Sequence, residues 1–184
     1  CITIDSCYLL AGAYVIEKIL STEYYKSRLL KIDQFGNVIW DKIYGYKGRE
    51  NYIKAIRQIY NGDIVTIGFT DSMGMYCGNS NCIMQYLNSD GKVKWRREYY
   101  FNWDTCSFWS KPYTIETTND GGFIFAGIGA NTNLNPGQYT WIVKMDSLGF
   151  DGITDFSNDT TFRFELYSDS CYNDTIIAKF RLYG

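Results

Sequence analysis

The stretch Tyr52–Tyr100, YIKAIRQIYNGDIVTIGFTDSMGMYCGNSNCIMQYLNSDGKVKWRREYY, decides the fold. It reads as four short β-strands with turn signals between them. The first strand runs over about 52–60 and ends at Asn61-Gly62, the dipeptide favoured in a two-residue type I′ hairpin turn. The second is Asp63–Phe69, followed by a Gly-, Ser- and Asn-rich loop over 70–81. The third is Cys82–Leu87, the turn Asn88-Ser89-Asp90-Gly91 follows, and the fourth is Lys92–Tyr99. The fourth strand alternates, with Val93, Trp95, Arg97 and Tyr99 on one face and Lys92, Lys94, Arg96 and Glu98 on the other.

Shifted copies of this stretch lie on both sides. Gly12 in YLLAG, Gly68 in DIVTIG and Gly127 in FIFAG end apolar runs and are 56 and 59 residues apart. The turn glycines Gly36, Gly91 and Gly149 are separated by 55 and 58, and Trp40 and Trp95 by 55. Markers of different kinds at one offset establish an internal repeat of about 57 residues. The copies fall at about 1–51, 52–111 and 112–150. The first repeats the alternation as Val38, Trp40, Lys42 and Tyr44. Mapping Gly12 onto Gly68 sets Asp5-Ser6 on the Asn61-Gly62 turn, so the first copy opens inside its leading strand, and a longer parent chain is expected. The third copy turns at Asn119-Asp120-Gly121-Gly122 and lacks a fourth strand, because Asp151-Gly152 stands where a Trp strand is due. Residues 151–184 read as an accessory β-hairpin tail or the start of a further module.

Composition narrows the function classes. The 184 residues hold 17 Tyr, 11 Phe and 5 Trp but only 2 Pro, which favours an all-β fold. Net charge is −2, so nothing electrostatic points to nucleic acid or an anionic membrane. There is no histidine, which excludes Ser-His-Asp and Cys-His catalysis within this chain. No apolar run is long enough for a helical membrane span. Neither cofactor nor metal is called for. The acidic turn residues Asp33, Asp90, Asp120 and Asp146 lack the alternating oxygen ligands of a calcium loop and are read as bonding their own turn backbone. Of the 6 cysteines, Cys77 and Cys82 flank one loop and are read as a disulfide that pins it, in an oxidising compartment, with free thiols in a reducing one as the alternative.

Four antiparallel strands per unit of this length is the pattern of a β-propeller blade. The runs Tyr8–Gly12, Leu30–Trp40 with Tyr44-Gly45, Asp120–Gly127 and Ile142–Gly149 resemble the repeats of long secreted proteins of Bacteroidota-type bacteria. The resemblance covers about 7–149. Asn88 in place of Asp and the missing third Trp depart from the pattern. A ring needs at least four blades, so the expectation is an incomplete propeller or a part of a larger one. The resemblance implies a secreted or outer-surface location and export by the type IX system.

The function expected is a non-catalytic scaffold that binds protein or glycan. Trp103, Phe108 and Trp109, in the aromatic stretch between the second and third copies, are the candidate binding residues; the alternative is that they fill the gap between blades. A carbohydrate-active enzyme working through loop carboxylates such as Asp104, Glu116, Asp151, Asp155 or Glu165 is the second reading. The third is a secreted cargo or subunit held in a larger assembly. Ser72, Ser147, Thr160 and Thr175 lie in Asp-Ser/Thr-apolar triplets that resemble the O-glycosylation sequon of such bacteria.

Overall fold

The computed structural model describes residues 1–19, 22–45, 49–72, 80–99, 108–131, 138–150, 163–172 and 175–183. Among them every regular element is a strand. The first sheet is β1 (Tyr8–Ile19), β2 (Thr22–Ile32) and β3 (Val38–Tyr44). The second is β4 (Arg49–Gln58), β5 (Ile64–Ser72), β6 (Ser80–Leu87) and β7 (Val93–Tyr99), each strand antiparallel to the one before. The third is β8 (Phe108–Thr117), β9 (Phe123–Asn131) and β10 (Gln138–Met145). One parallel bridge, Ser80 to Trp109, joins the second and third sheets at a point. Residues 152–184 form a separate compact unit that holds the antiparallel hairpin β11 (Arg163–Tyr172) and β12 (Thr175–Tyr183). Its two strands pair out to Tyr172 and Thr175.

Burial follows from stacking. The second sheet lies between the other two, so β5 is buried on both faces and reads as the unbroken run Ile64-Val65-Thr66-Ile67. Ile64 and Leu87 meet Leu9, Leu29 and Tyr44 of the first sheet. Val65, Ile67, Cys82 and Met84 meet Ile115, Phe123, Phe125 and Met145 of the third. In β9 only one face is covered: Phe123 and Phe125 are buried, whereas Ile124 is exposed.

One latch recurs between neighbouring sheets. Tyr44, at the end of β3, donates its hydroxyl to the Gly91 carbonyl in the β6–β7 turn at 2.6 Å. Tyr99, at the end of β7, donates to the Gly149 carbonyl after β10, again at 2.6 Å. Burial pushes the Tyr44 pKa up to about 12, so the donor proton stays in place. The tryptophan four residues earlier covers the same glycine. A Cβ on Gly91 would lie 3.2 Å from Trp40 Cη2, and one on Gly149 would lie 2.7 Å from Trp95 Cη2. Arg97, between Trp95 and Tyr99, donates to the Leu148 carbonyl at 2.8 Å and sits 3.7 Å from the Phe150 ring centroid. A bulge at Tyr86/Leu87 moves Val93 off this face, so it packs toward the first sheet with Trp40 instead.

The turns share a second device. Expected type I′ geometry at Asn61-Gly62 is not found, because Gly62 (φ 86°) is left-handed and Asn61 is not. Gly62 N donates to Ile59 O, and Ile59 N to Asp63 O, both at 2.9 Å, which is a type I turn followed by a left-handed residue. The same pair of bonds closes 3–7, 33–37, 88–92, 118–122 and 146–150. Ser6 (φ 59°) takes the glycine place in the first of these. Asp33 Oδ1 accepts from the amides of Phe35 and Asn37, and Asp146 Oδ1 from those of Leu148 and Phe150, all at 2.8 Å. Their lone pairs thus serve the turn backbone.

The two devices predict different costs at equivalent glycines. Nothing lies within 4 Å of the place a Cβ on Gly36 (φ 89°) would take, so Gly36→Ala costs only the left-handed conformation, about 1–2 kcal/mol. Gly91→Ala adds a clash with Trp40 and Tyr44 and costs clearly more. Urea denaturation of the two variants checks this, and equal losses would deny the latch its role.

Candidate functional site

The glycine turns lie at one end of each sheet, and the longer connections at the other. At that second end, β4 and β5 bring two carboxylates together. Glu50 and Asp71 are directly opposite in the ladder, on the face toward the third sheet, and facing pairs of this kind have Cβ atoms about 5 Å apart. Tyr52, on the same face, donates its hydroxyl to Glu50 Oε2 at 2.9 Å. Burial, and then this carboxylate, push the Tyr52 pKa up. Asp71 is also raised: burial is the main cause, Lys111 opposes it, and Glu50 adds to it. Lys111 Nζ stands 5.2 Å from the Phe69 ring centroid and Lys54 Nζ 5.3 Å from it. The cluster therefore joins two acids, a phenol and two cations around one aromatic ring.

The opposite face of the same end is polar too. Arg49 and Glu98 approach to 3.9 Å, and Asn81 Nδ2 donates to Glu98 Oε2 at 3.3 Å. Asn51 is buried and donates to the Arg49 carbonyl at 2.8 Å, while its Oδ1 and the buried Thr70 Oγ1 have no hydrogen-bond partner among the described residues. Asn51 borders a cavity of about 10 Å³ with Ser27, Thr66, Gln85 and Arg96, a volume that suits a single water rather than a substrate.

The residues expected to act fare unevenly. Cys82 is a free thiol with no exposed surface, so the Cys77–Cys82 ring is not formed. The β6 alternation places Cys82 with Met84 on the core face, and burial pushes the thiol pKa well up. Cys1 and Cys7 are also free. Cys77, Trp103, Asp104, Asp151, Asp155 and Thr160 lie outside the described residues. For Phe108, Trp109, Ser72, Glu165 and Thr175 only the strand backbone is described. Ser147 is exposed in the turn after β10. Glu116 forms an ion pair with Arg57. Among the described residues no group of three His, Cys, Asp or Glu side chains converges as a metal site.

Glu50 and Asp71 were not singled out by sequence. Their pairing depends on the β4–β5 register, which a bulge between Ile53 and Ala55 shifts by one residue. Counting back from Asn61-Gly62 without the bulge puts them on opposite faces.

A further patch lies on the outer face of the first sheet. Tyr8, Leu10 and Tyr14 of β1 and Ile43 of β3 are 41–48% exposed, and Phe35 in the neighbouring turn is 81% exposed. In the repeat, Tyr8, Leu10 and Gly12 correspond to Ile64, Thr66 and Gly68, which the first sheet covers in the second.

The raised Asp71 pKa carries a sign. The group favours the folded state below its unfolded pKa, and that contribution is lost as pH rises through the folded one. Asp71→Asn should therefore raise stability at pH 7 and leave it nearly unchanged at pH 3. Urea denaturation at both pH values tests this; a loss at pH 7 would mean that Lys111 outweighs burial and Glu50 and holds the carboxylate favourably. No protein-family model matches the chain, and no curated protein matches it.

Proposed function

We propose that the three sheets are propeller-type blades of a secreted or cell-surface scaffold that binds protein or glycan without catalysing a reaction. The observation that carries this reading is the exposed apolar face of the first sheet. Tyr8, Leu10, Tyr14 and Ile43 lie on it, and Val38, Ile39 and Phe35 beside it, all exposed. Contiguous exposed apolar surface of this kind marks an interaction site. The meander order of strands and the sheet-on-sheet stacking support the blade reading. The likeness of the repeats to secreted bacterial repeats supports export. In this reading the aromatic stretch 101–109 supplies the glycan-binding arm.

One observation favours the second reading, a carbohydrate-active enzyme. Glu50 and Asp71 are neighbours, and their surroundings differ, since Tyr52 bonds Glu50 whereas burial raises Asp71. Two carboxylates held in different environments are what glycoside hydrolysis requires. Neither residue lines the cavities between the sheets, which is why the scaffold is preferred.

Incubation of the purified chain with a panel of chromogenic glycosides and polysaccharides separates the two. The scaffold reading predicts no turnover above the buffer blank. Turnover that disappears in the Glu50→Gln/Asp71→Asn double variant would replace it with the hydrolase.

A further inference from the structure

Asn61-Gly62 is the single Asn-Gly pair of the sequence. In an unfolded chain such a pair is chemically unstable. The glycine nitrogen attacks the asparagine side-chain carbon, and no Cβ on the glycine hinders it. A bond forms between the glycine N and the asparagine Cγ, the Cγ–Nδ2 bond breaks, and ammonia leaves with the proton that the glycine nitrogen gave up. Water then opens the five-membered imide at either carbonyl. The products are aspartate and its β-linked isomer, in which the main chain runs through the side chain. Asn61 is exposed, so water and hydroxide reach it.

The folded turn blocks the attack at each step. Asn61 is the third residue of its type I turn, where ψ is about 0°. This sets the Gly62 nitrogen syn to the Asn61 α-nitrogen, whereas the imide ring needs it syn to Cβ. The Gly62 N–H is engaged as well, donating to Ile59 O at 2.9 Å. The side chain is held through both of its polar atoms. Asn61 Oδ1 accepts from Asp63 N at 2.9 Å, and Nδ2 donates to Asp63 Oδ2 at 3.1 Å. Gln58 Nε2 fastens the far side of the turn, donating to Gly62 O at 2.9 Å.

The other two copies show what the product would meet. Asp5 and Asp120 occupy the same place in the equivalent turns. Each is paired with a lysine that stands two residues before the next acidic turn residue: Lys31 with Asp5 and Lys144 with Asp120, both at 2.7 Å. In the second sheet Tyr86 takes that lysine's place, two residues before Asn88. Its hydroxyl donates to Asp63 Oδ2 at 3.0 Å, and the lysine comes from β7 instead, with Lys94 Nζ 2.6 Å from the same oxygen. Asp63 is buried. A carboxylate at position 61 would replace a donor to this oxygen with a second negative charge beside it.

We propose that Asn61 is a deamidation site that the folded turn keeps closed, and whose modification undoes the corner around Asp63. The reagent is water, and no enzyme or cofactor takes part. The reaction starts only when the turn opens far enough to release the Gly62 N–H and the Asn61 side chain. Either product then removes the Nδ2 donor and loosens the tie between the β4–β5 turn, Tyr86 of β6 and Lys94 of β7. The modification thus leaves an irreversible record of turn opening, whichever functional reading holds.

The whole chain is incubated in mildly alkaline buffer, folded and in denaturing urea, and peptide mapping by mass spectrometry follows the amide-to-acid mass gain and its position. In urea Asn61 should be the first asparagine to change, in two chromatographic forms. In the folded chain its rate should be at least tenfold lower. Gln58→Ala frees the Gly62 carbonyl; it should raise the folded rate severalfold and leave the rate in urea unchanged. Asn61→Asp, the direct product, should unfold at lower urea than the parent at pH 7, and the difference should shrink as the pH falls and the two carboxylates protonate. Equal rates in the folded and unfolded chain overturn the proposal, as does earlier change at another asparagine in urea. So does a folded Gln58→Ala variant that reacts no faster than the parent, because the turn would then not be the gate. An Asn61→Asp variant as stable as the parent at pH 7 overturns it too, because the product would leave the corner intact.

Discussion

The structure depends on a tyrosine hydroxyl reaching the turn carbonyl of the next sheet. Tyr44 bonds Gly91 and Tyr99 bonds Gly149, and in each case a tryptophan from the same strand lies on that glycine. The glycine answers two demands at once. Its left-handed φ closes the turn, and its missing Cβ admits the tryptophan. A buried hydrogen bond of this kind contributes about 1 kcal/mol net, but an unpaired buried carbonyl costs more than that. The bond therefore fixes which sheet faces which, while the apolar layers around Leu29 and Leu87, and around Ile67 and Phe125, supply most of the cohesion.

The same contacts recur between the first and second sheets and between the second and third. Each earlier sheet covers one face of the next. Among the described residues this head-to-tail relation leaves one face of the first sheet and one of the third exposed. On the first sheet this is the face of Tyr8, Leu10 and Tyr14, and on the third it is the face of Ile124. Phe35 and Gly36 stand where Asp90 and Gly91 stand in the second sheet, with no tryptophan over them among the described residues. The exposed apolar face and the stacking rule are thus two views of one geometry.

Much of this was legible in the sequence. The repeat offset, the all-β content and the strand order of the middle copy could be read from glycine and tryptophan spacing, because those residues answer backbone and packing demands that recur. Three things were not. The turn at Gly62 is a type I turn followed by a left-handed residue rather than type I′, since asparagine before glycine fits both. Bulges at Ile53/Ala55 and Tyr86/Leu87 reverse which residues share a face, and no local residue type announces them. That hid the Glu50–Asp71 pair and misplaced Val93. Cys82 looked like half of a loop disulfide because only its neighbour in sequence was visible; its strand phase puts it in the core.

The central claim is that the sheets are held in order by the tryptophan–tyrosine latch rather than by burial alone. Native-state amide hydrogen exchange on a Trp95→Ala variant tests it most directly. The account predicts that protection falls in β8, β9 and β10 while β1, β2 and β5 keep theirs, because the latch between the first two sheets is untouched. A uniform fall across all three sheets, or no change in the third, would contradict it.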